Sequence, residues 1–341
     1  MKILVGIGES EVKESYFTPT VVEQLEKLGE IVWNETGRQA FTKEELIEHI
    51  KDVDVYLSGW GSPAVDPEVL SHAKNLKVHA HTAGSVARLV CKEEYDRGVV
   101  VLSGNDIFAR SVAEATVCYM LNSLRRNEEL MQTVRNGGWR MERCFNSGLY
   151  RKKVGLIGYG EISRYVMDAI KWWEPDLYLY SKHASPDAYH KYGAKQTTLE
   201  HIFSECDVIS IHSAWNDENH ELIKKEHFKL IKEGAVFVNT ARGGILDEKA
   251  LIEELETGRF RAALDVFVQE PLPEDSVLRK LKNVQCYPHM GGPTFDMREQ
   301  VMFKLLRDLR HIKDGKPFDD VVTYENSLYM TQVPKDAIKW G

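Results

Sequence analysis

The sequence has few cysteines, and their spacing matches neither a disulfide framework nor a metal site. The cysteines are Cys91, Cys118, Cys144, Cys206 and Cys286, and no two of them form a Cys-x-x-Cys pair. Because an odd number leaves one cysteine unpaired in any complete disulfide scheme, we expect reduced thiols and a cytoplasmic protein.

Long apolar runs are also missing. No stretch approaches the roughly 18 apolar residues that a membrane-spanning helix requires. The N-terminal residues MKILVGIGES have an apolar run of only about five or six residues before glycine and charged residues follow, which is too short for the core of a signal peptide. The sequence therefore predicts no membrane partner.

Positive charge is scarce as well. The chain has 44 lysine and arginine residues against 52 aspartate and glutamate residues, which gives a formal net charge of -8. Basic residues cluster only in short segments at 125–126 and 151–153. Since no basic block offsets the acidic balance, the sequence predicts no nucleic-acid partner.

Short apolar runs alternate with helical patterns in two series. The first series fills about the first hundred residues, and the second begins at KKVGLIGYG and ends at NVQCYP. Strands separated by helices of this length predict parallel βαβ units with helices on both faces. We therefore expect an α/β protein with two doubly wound sheets, and 341 residues suit two domains.

Two helix starts carry recognisable signals. Asp66 precedes Pro67, an N-cap followed by proline at the first helical position. Ser111 has Glu114 three residues later, which matches a capping box and predicts a long helix over residues 111–127 that joins the two domains.

The segment VGLIGYGEIS has the pattern of a dinucleotide-binding loop between a strand and a helix. Gly158 allows a tight turn, Gly160 lets a pyrophosphate approach the backbone, and Ser163 is small enough to replace the usual third glycine. The helix N-terminus offers free N–H groups to the phosphates. A glycine-bearing turn without a ligand is the alternative.

The next strand ends without the acid that selects NAD. Ser181, followed by Lys182 and His183, stands where an aspartate or glutamate would bind the ribose 2′-hydroxyl. A missing carboxylate and a nearby cation favour NADP over NAD, although Lys182 could equally be a solvated loop charge.

Three later strands each end in residues suited to chemistry. They deliver Arg242, then Asp265 and Glu270, and finally His289. Because ligands of open α/β sheets bind outside the carboxyl ends of the strands, these side chains can converge with the glycine loop. Taken singly, Arg242 could be a salt-bridge residue and Glu270 a loop carboxylate.

Several segments, in this order and spacing, resemble one known family. They are NLKVHAHTAGSV, SVAEATVCYML, GLIGYGEIS, FVNTARGGILDEKAL, AALDVFVQEPLP and CYPHMGG. The chain is similar to the D-isomer-specific 2-hydroxyacid dehydrogenases, the relatives of glyoxylate/hydroxypyruvate reductase and phosphoglycerate dehydrogenase. The resemblance implies two Rossmann-like domains with the active site in the cleft between them: a substrate domain formed by residues 1–104 and 296–341, and a dinucleotide-binding domain at 105–295.

The resemblance also implies NAD(P)-dependent hydride transfer between the nicotinamide and C2 of a small 2-oxo or 2-hydroxy acid. Arg242 would bind the carboxylate and ketone, His289 would exchange a proton with the ketone oxygen, and Glu270 would favour the protonated imidazole. The substrate would be bound by Arg242, His289 and the backbone of Ala83, Gly84 and Ser85. The residues expected at the coenzyme are Gly158, Tyr159, Gly160, Glu161, Ile162, Ser181, Lys182, His183, His212, Ser213, Ala214, Thr240, Ala241, Asp265 and Gly291.

The sequence departs from the family pattern in places, and other functions stay open. Ala214 and Trp215 stand where proline usually follows the histidine of SIH. Glu270 and Phe108 replace the glutamine and asparagine of formate dehydrogenases, so formate is not expected as substrate. The alternatives are a nucleotide-sensing, corepressor-like binding protein of the same fold, and phosphite oxidation. The family dimerises through the cofactor domain, which predicts a homodimer.

His79 and His81 lie on one face of a predicted strand, since side chains alternate along a strand. Such pairs bind metals in some hydrolases. No aspartate or glutamate follows at ligand spacing, so we expect no metal and interpret His81 as a neighbour of the substrate.

Overall fold

The structure is a computed structural model that describes residues 1–139, 146–318 and 320–332. Two compact units can be distinguished. Unit 1 consists of Met1–Ala109 and Pro293–Gln332, and the described part of unit 2 lies within Arg110–Gly292, where residues 140–145 are not described. Cys144, and residues 319 and 333–341 of the predicted C-terminal segment, lie outside the described residues. The other cysteines carry free thiols.

Strands and helices alternate along most of the described chain. The strands are β1 (Lys2–Val5), β2 (Glu30–Trp33), β3 (Val55–Ser58), β4 (Val78–His81), β5 (Val100–Ser103), β6 (Lys153–Ile157), β7 (Asp176–Tyr180), β8 (Lys195–Gln196), β9 (Val208–Ile211), β10 (Val236–Asn239), β11 (Arg261–Leu264) and β12 (Val284–Cys286). The helices are α1 (Glu11–Tyr16), α2 (Pro19–Glu26), α3 (Lys43–His49), α4 (Pro67–His72), α5 (Lys92–Asp96), α6 (Asn105–Arg125), α7 (Asn127–Arg135), α8 (Glu161–Ile170), α9 (Pro186–Tyr192), α10 (Leu199–Glu205), α11 (Lys225–Leu230), α12 (Glu248–Leu255), α13 (Phe295–Lys313) and α14 (Tyr324–Tyr329). In the described ranges, no helix is both long and apolar enough to cross a membrane.

The sheet of unit 1 is parallel, with the strand order β2-β1-β3-β4-β5. Alternate residues of each strand enter two different cores. Ile3 and Leu57 pack with α1, α2 and α13, whereas Leu4 and Tyr56 pack with α3 and α4. Because side chains alternate across a strand, a sheet buried on both faces needs apolar residues at nearly every position. The predicted doubly wound sheet is confirmed for unit 1.

The sheet of unit 2 is also parallel, with the order β12-β11-β10-β9-β6-β7-β8. Phe237 enters the core beneath α10, α11 and α12, whereas Val236 and Val238 enter the core beneath α6 and α8. The second predicted sheet is therefore confirmed. The strand order reverses between β6 and β9, and ligands of such sheets bind in the crevice outside the strand ends at this point.

The helix start predicted at Asp66 is confirmed. Its side chain accepts a hydrogen bond from the backbone nitrogen of Val69 at 3.0 Å, and Pro67 occupies the first turn of α4. Proline costs nothing here because the first N–H groups of a helix have no partner within the helix.

The capping box predicted at Ser111 is wrong. Helix α6 already begins at Asn105, whose backbone nitrogen donates to Oγ of Ser103 at 3.1 Å. Ile107 and Phe108 pack against the core of unit 1, so the apolar pattern that stabilises the helix starts before Ser111. Ser111 is buried in the helix interior, where a Ser-x-x-Glu spacing has no capping role.

Candidate active site

The loop between β6 and α8 requires glycine at its first position. Gly158 has a φ of 102°, a backbone conformation that residues with a Cβ rarely adopt. A Cβ there would lie 2.6 Å from the backbone nitrogen of Ser213 and 2.7 Å from the carbonyl carbon of His212. The end of β6 can therefore approach the end of β9 only without a side chain at residue 158.

Gly160 and Ser163 shape the N-terminus of α8. Oγ of the buried Ser163 accepts a hydrogen bond from the Gly160 nitrogen at 2.9 Å and donates to the Gly160 oxygen at 3.0 Å. A Cβ at Gly160, the N-cap of α8, would meet nothing within 4 Å. A pyrophosphate fits this open space, because a helix N-terminus offers unpaired N–H groups and the positive end of the dipole.

His212 follows β9 and places two buried nitrogens beside the glycine loop. Its backbone nitrogen donates to the oxygen of Ile157 at 2.7 Å, and Oγ of Ser213 donates to the same oxygen at 3.2 Å. Burial lowers the pKa of His212 to about 3, so the ring is neutral at physiological pH. Among the described residues, neither ring nitrogen has a hydrogen-bond partner. Buried polar atoms without partners fit a site that a bound ligand completes.

Ala214 and Trp215, which stand where the family usually has proline, also follow the end of β9. Nδ2 of Asn219 donates to the Ala214 oxygen at 3.1 Å. Trp215 packs against Gly244, where a Cβ would come within 2.3 Å of the indole ring. The indole therefore fills space that a residue with a side chain at 244 would need.

At the end of β7 the structure adds the carboxylate of Glu218, which the sequence did not predict there. Ser181 accepts hydrogen bonds at Oγ from the nitrogens of His183 and Ala184, each at 3.2 Å. Nζ of Lys182 lies 2.7 Å from Oε1 of Glu218, and that hydrogen bond lowers the pKa of the Glu218 carboxyl. Glu218 is 36 residues further along the chain, so no local pattern could have linked it to the coenzyme-selecting position.

Glu270 binds the ring of His289. Its Oε2 lies 2.6 Å from Nδ1 of His289, and its Oε1 accepts a hydrogen bond from the Phe267 nitrogen at 2.9 Å. Burial raises the pKa of Glu270, but the hydrogen bonds from His289 and Phe267 outweigh burial and hold the pKa below its usual value. The imidazole side chain is 43% exposed. Its Nδ1 is thus held by Glu270, which leaves Nε2 to meet a reacting group.

Asp265 fixes the backbone that follows His289. His289 has a φ of 54°, in the left-handed region that is uncommon for residues other than glycine. The Asp265 carboxylate accepts hydrogen bonds from the nitrogens of Met290 at 2.9 Å and Gly291 at 2.8 Å. A Cβ at Gly291 would lie 2.7 Å from Oδ2 of Asp265. These contacts hold His289 in a strained conformation. Burial raises the pKa of Asp265, although the hydrogen bonds from the two N–H groups act to lower it.

A second residue that sequence reasoning missed, Asn239, holds the turn that carries Arg242. Oδ1 of Asn239 accepts a hydrogen bond from the Ala241 nitrogen at 3.0 Å, and Nδ2 donates to the Arg242 oxygen at 3.1 Å. Asn239 is fully buried. The residue after Arg242 must be glycine, since a Cβ at Gly243 would lie 2.0 Å from the carbonyl carbon of Phe267. The segment FVNTARGG contained the signal, an amide as the last residue of a buried strand.

The predicted catalytic side chains come together at one edge of the sheet of unit 2. Arg242, Asp265 and His289 follow β10, β11 and β12, which are neighbours in the sheet. Burial lowers the pKa of Arg242, and the charges of Glu270 and Asp265 oppose this effect. A cation, an imidazole bound to a carboxylate and a buried carboxylate thus follow three neighbouring strands of this sheet. Thr240, at the same edge, bonds through Oγ1 to Oγ1 of Thr116 at 2.9 Å.

In unit 1, residues 83–85 follow β4 and are held through the carbonyl oxygen of Ala83. The carbonyl oxygen of Ala83 accepts hydrogen bonds from Oγ of Ser103 and from the Gly104 nitrogen, at 3.0 and 3.1 Å. Within the described residues, the nitrogens of Ala83, Gly84 and Ser85 donate no hydrogen bond. Backbone N–H groups that lack an acceptor can bind an anion such as a carboxylate.

Comparison with known proteins identifies relatives of this chain. Residues 117–291 match the model described as "D-isomer specific 2-hydroxyacid dehydrogenase, NAD binding domain". A D-3-phosphoglycerate dehydrogenase of Methanocaldococcus jannaschii is 31% identical over 307 residues, which are 89% of this chain and 57% of that protein. The chain thus spans a little over half the length of that relative. A glyoxylate reductase of Pyrococcus furiosus is 30% identical over 304 residues, 86% of this chain and 89% of that protein.

The fold is shared with solved structures. An acyclic imino acid reductase in complex with NADPH and D-Arg superposes with a TM-score of 0.78 at 22% identity, covering 95% of this chain and 100% of that chain. At this identity the likeness concerns the fold alone. The family match over half of the chain, together with relatives aligned over most of it, shows that the chain belongs to the D-isomer specific 2-hydroxyacid dehydrogenase family.

Proposed function

We propose that the protein is an NAD(P)-dependent oxidoreductase that interconverts a small 2-oxo acid and the corresponding D-2-hydroxy acid. The observation that carries this proposal is the His289–Glu270 pair, with 2.6 Å between Nδ1 and Oε2, at the same sheet edge as Arg242. A proton-exchanging imidazole and a guanidinium are the groups that reduction of a ketone next to a carboxylate needs. The family membership supports the same reaction class.

Each catalytic residue has a defined task. Arg242 binds the carboxylate and ketone oxygens through its planar fork of donors and so fixes C2. His289, in its protonated form, donates a proton from Nε2 to the ketone oxygen, and it accepts that proton in the oxidation direction. Glu270 orients the imidazole through Nδ1 and stabilises its positive charge.

The ends of β6, β7 and β9 and the loops after β10, β11 and β12 would hold the coenzyme. When bound, the nicotinamide would supply or accept the hydride. Gly160 and α8 would hold the pyrophosphate, and Asp265 would hold the nicotinamide amide. The full set comprises Gly158, Tyr159, Gly160, Glu161, Ile162, Ser181, Lys182, His183, His212, Ser213, Ala214, Thr240, Ala241, Asp265 and Gly291.

The proposed coenzyme preference is for NADP(H), and Glu218 limits it. Ser181 leaves the ribose position without the acid that selects NAD, and Lys182 supplies a cation. The Lys182–Glu218 pair is exposed, with side-chain exposures of 40% and 48%, so the two charges separate at little cost. Lys182 can then bind a 2′-phosphate, while Glu218 repels it.

Residues 83–85 are proposed to bind the substrate carboxylate through their free N–H groups. They belong to the proposed substrate domain, residues 1–104 and 296–341, as distinct from the proposed dinucleotide-binding domain, residues 105–295. The observation behind this assignment is the absence of any acceptor for these N–H groups among the described residues.

A homodimer is also proposed. Helix α7 has no buried residue, and Met131 and Val134 on it are 52% and 53% exposed. Met131 and Val134 are three residues apart and so lie on one face of α7, and adjoining exposed apolar side chains mark interaction surfaces. Light scattering after size-exclusion chromatography tests this: a mass near 78 kDa, twice the chain's 39.0 kDa, supports the dimer, and a mass of one chain contradicts it.

The function is tested by initial rates of NADPH and NADH oxidation with glyoxylate, hydroxypyruvate and pyruvate. We expect turnover of at least one acid, and His289→Ala should lower kcat by about 10²–10⁴-fold, the usual contribution of a general acid. Coenzyme binding, followed by the fluorescence of bound NADPH, should persist in the variant. Coenzyme binding by the wild type without turnover of any acid contradicts the proposal.

A further inference from the structure

Residues 321–332, here called the edge segment, lie along the outer edge of the sheet of unit 1. β5 is the last strand in the order β2-β1-β3-β4-β5. The Val322 nitrogen donates to the Val101 oxygen at 2.9 Å, and Val321 forms an isolated antiparallel bridge with Leu102. The edge segment thus pairs with backbone groups of an edge strand.

The edge segment also packs against the chain that follows β4. Val322 and Met330 belong to the same apolar cluster as Val86 and Val101. Val86 is fully buried and directly follows residues 83–85. This cluster therefore joins the edge segment to the residues that are proposed to bind the substrate carboxylate.

Ser103 fixes two peptide groups within residues 83–85. Its Oγ lies 3.0 Å from the Ala83 oxygen and also contacts the Gly84 oxygen. In a trans peptide group the N–H points opposite to the C=O, so the N–H groups of Gly84 and Ser85 point away from Ser103. Within the described residues, neither of these nitrogens donates a hydrogen bond.

The hydroxyl of Ser85 is bound on both sides by the protein. It donates to the Thr331 oxygen at 2.9 Å and accepts from the Ala87 nitrogen at 3.3 Å. Thr331 lies in the edge segment, 246 residues further along the chain. A hydroxyl has a single hydrogen, so the hydrogen of Ser85 is used by the edge segment and is not available to a ligand.

The residues on both sides of Thr331 are themselves anchored. Met330 packs in the apolar cluster, and Nε2 of Gln332 donates to the Leu328 oxygen of α14 at 3.2 Å. The Thr331 oxygen is therefore held in place from both directions. An acceptor fixed in this way can hold Ser85 in one conformation.

We propose that the edge segment positions residues 83–85 for the substrate carboxylate, and that the Ser85 hydroxyl acts on the backbone of these residues and not on the substrate. The inference rests on the proposed function, in which the N–H groups of residues 83–85 bind that carboxylate. Met330 and Thr331 are then positioning residues. Because every 2-oxo acid has this carboxylate, the edge segment sets the affinity for the whole class and not the choice among its members.

Two alanine variants of the edge segment test the coupling. Met330→Ala removes a side chain that packs with Val86, and Leu328→Ala is the matched control, because Leu328 is 48% exposed. We expect Met330→Ala to raise KM for glyoxylate, hydroxypyruvate and pyruvate by the same factor, about threefold to tenfold, with kcat within about twofold of the wild type, as loss of uniform binding requires. Leu328→Ala should leave KM unchanged. A wild-type KM in Met330→Ala would show a purely structural role and overturn the proposal.

A double-mutant cycle tests whether the Ser85 hydrogen bond transmits the effect. Ser85→Ala removes the hydroxyl and keeps the backbone N–H, and we expect it to raise KM by a similar factor. If Met330 acts through this bond, the double variant should have a KM no higher than that of the weaker single variant. Factors that multiply in the double variant would show independent effects and overturn the proposal.

Hydrogen exchange of the unliganded protein gives a readout that does not depend on turnover. The Ala87 N–H donates to Oγ of Ser85, so Met330→Ala should speed the exchange of this amide about threefold to tenfold, whereas Leu328→Ala should not. Unchanged exchange overturns the coupling even if the enzyme is active. Faster exchange in Met330→Ala, together with a wild type that turns over no 2-oxo acid, instead overturns the proposed function and with it the effect on substrate affinity.

Discussion

Nδ1 of His289 lies 2.6 Å from Oε2 of Glu270, 19 residues away along the chain. Glu270→Gln keeps the size of the side chain and removes its charge. We expect kcat for ketone reduction to fall about 10²-fold, because the protonated imidazole loses its counter-charge. Initial rates of the two proteins at saturating 2-oxo acid measure this effect. An unchanged kcat would show that the carboxylate does not act on His289.

The same pair makes the folded state sensitive to acid. The pKa of Glu270 is held below its usual value by His289 and Phe267, so its contribution to stability is complete above the unfolded-state pKa of about 4.3 and is lost as the pH falls through the folded-state pKa. The wild type should therefore lose more unfolding free energy than Glu270→Gln between about pH 5 and pH 3. Urea unfolding at several pH values checks this, and parallel curves for the two proteins would contradict it.

Alanine substitutions at Gly158 and Gly160 test the loop between β6 and α8, because only the first meets other atoms. Gly158→Ala puts a Cβ within 2.6 Å of the Ser213 nitrogen at a φ of 102°, and we expect a loss of stability of about 1–3 kcal/mol. Gly160→Ala meets no atom within 4 Å, so its unfolding should match the wild type while its Cβ weakens NADPH binding. Thermal unfolding and fluorescence titration separate the two effects. Equal stability of both variants would contradict the close approach at residue 158.

Asn239 should support both the fold and the placement of Arg242. Asn239→Ala leaves the Ala241 nitrogen and the Arg242 oxygen without their buried partner, which costs about 1–3 kcal/mol for an unsatisfied group. We expect a lower urea midpoint together with a raised KM for the 2-oxo acid. A raised KM without loss of stability would show that the amide acts on the substrate and not on the turn.

Glu218 offers a direct test of coenzyme choice. Glu218→Gln frees Lys182 from its ion pair and removes the negative charge that repels a 2′-phosphate. The kcat/KM ratio for NADPH over NADH should rise about threefold to tenfold, and Lys182→Ala should lower it by a similar factor. Since NADH lacks the phosphate, its own kcat/KM should change little in either variant. Equal changes with both coenzymes would exclude a role in selecting the phosphate.

Several features of the fold and the site could be predicted because they depend on local patterns. The alternation of short apolar runs and helical patterns predicted both parallel sheets. Because Arg242, Asp265 and His289 each follow one of the strands β10, β11 and β12, their position at one edge of the sheet could also be predicted. Parallel strands need no detailed packing information for this step, because their carboxyl ends necessarily meet at the same edge.

The features that escaped prediction depend on distant contacts. Glu218 meets Lys182, and Glu94 meets His79, only after loops or helices have folded over strand ends. The true start of α6 at Asn105 depends on Oγ of Ser103 and on packing of Phe108, whereas Ser111 and Glu114 offered a stronger local pattern. Capping preferences were overridden there by tertiary packing.

Unit 1 is built from two segments that unit 2 separates in the sequence, and this has a consequence for protein synthesis. Its sheet strands leave the ribosome before unit 2, but Val301, Leu305 and Leu309 of α13, which cover one face of that sheet, follow roughly 200 residues after Ala109. At ~5–20 residues per second this delay lasts roughly 10–40 s. During that interval the nascent N-terminal sheet exposes an apolar face to chaperones, and unit 2, continuous in sequence from Arg110 to Gly292, can finish folding before the older half does.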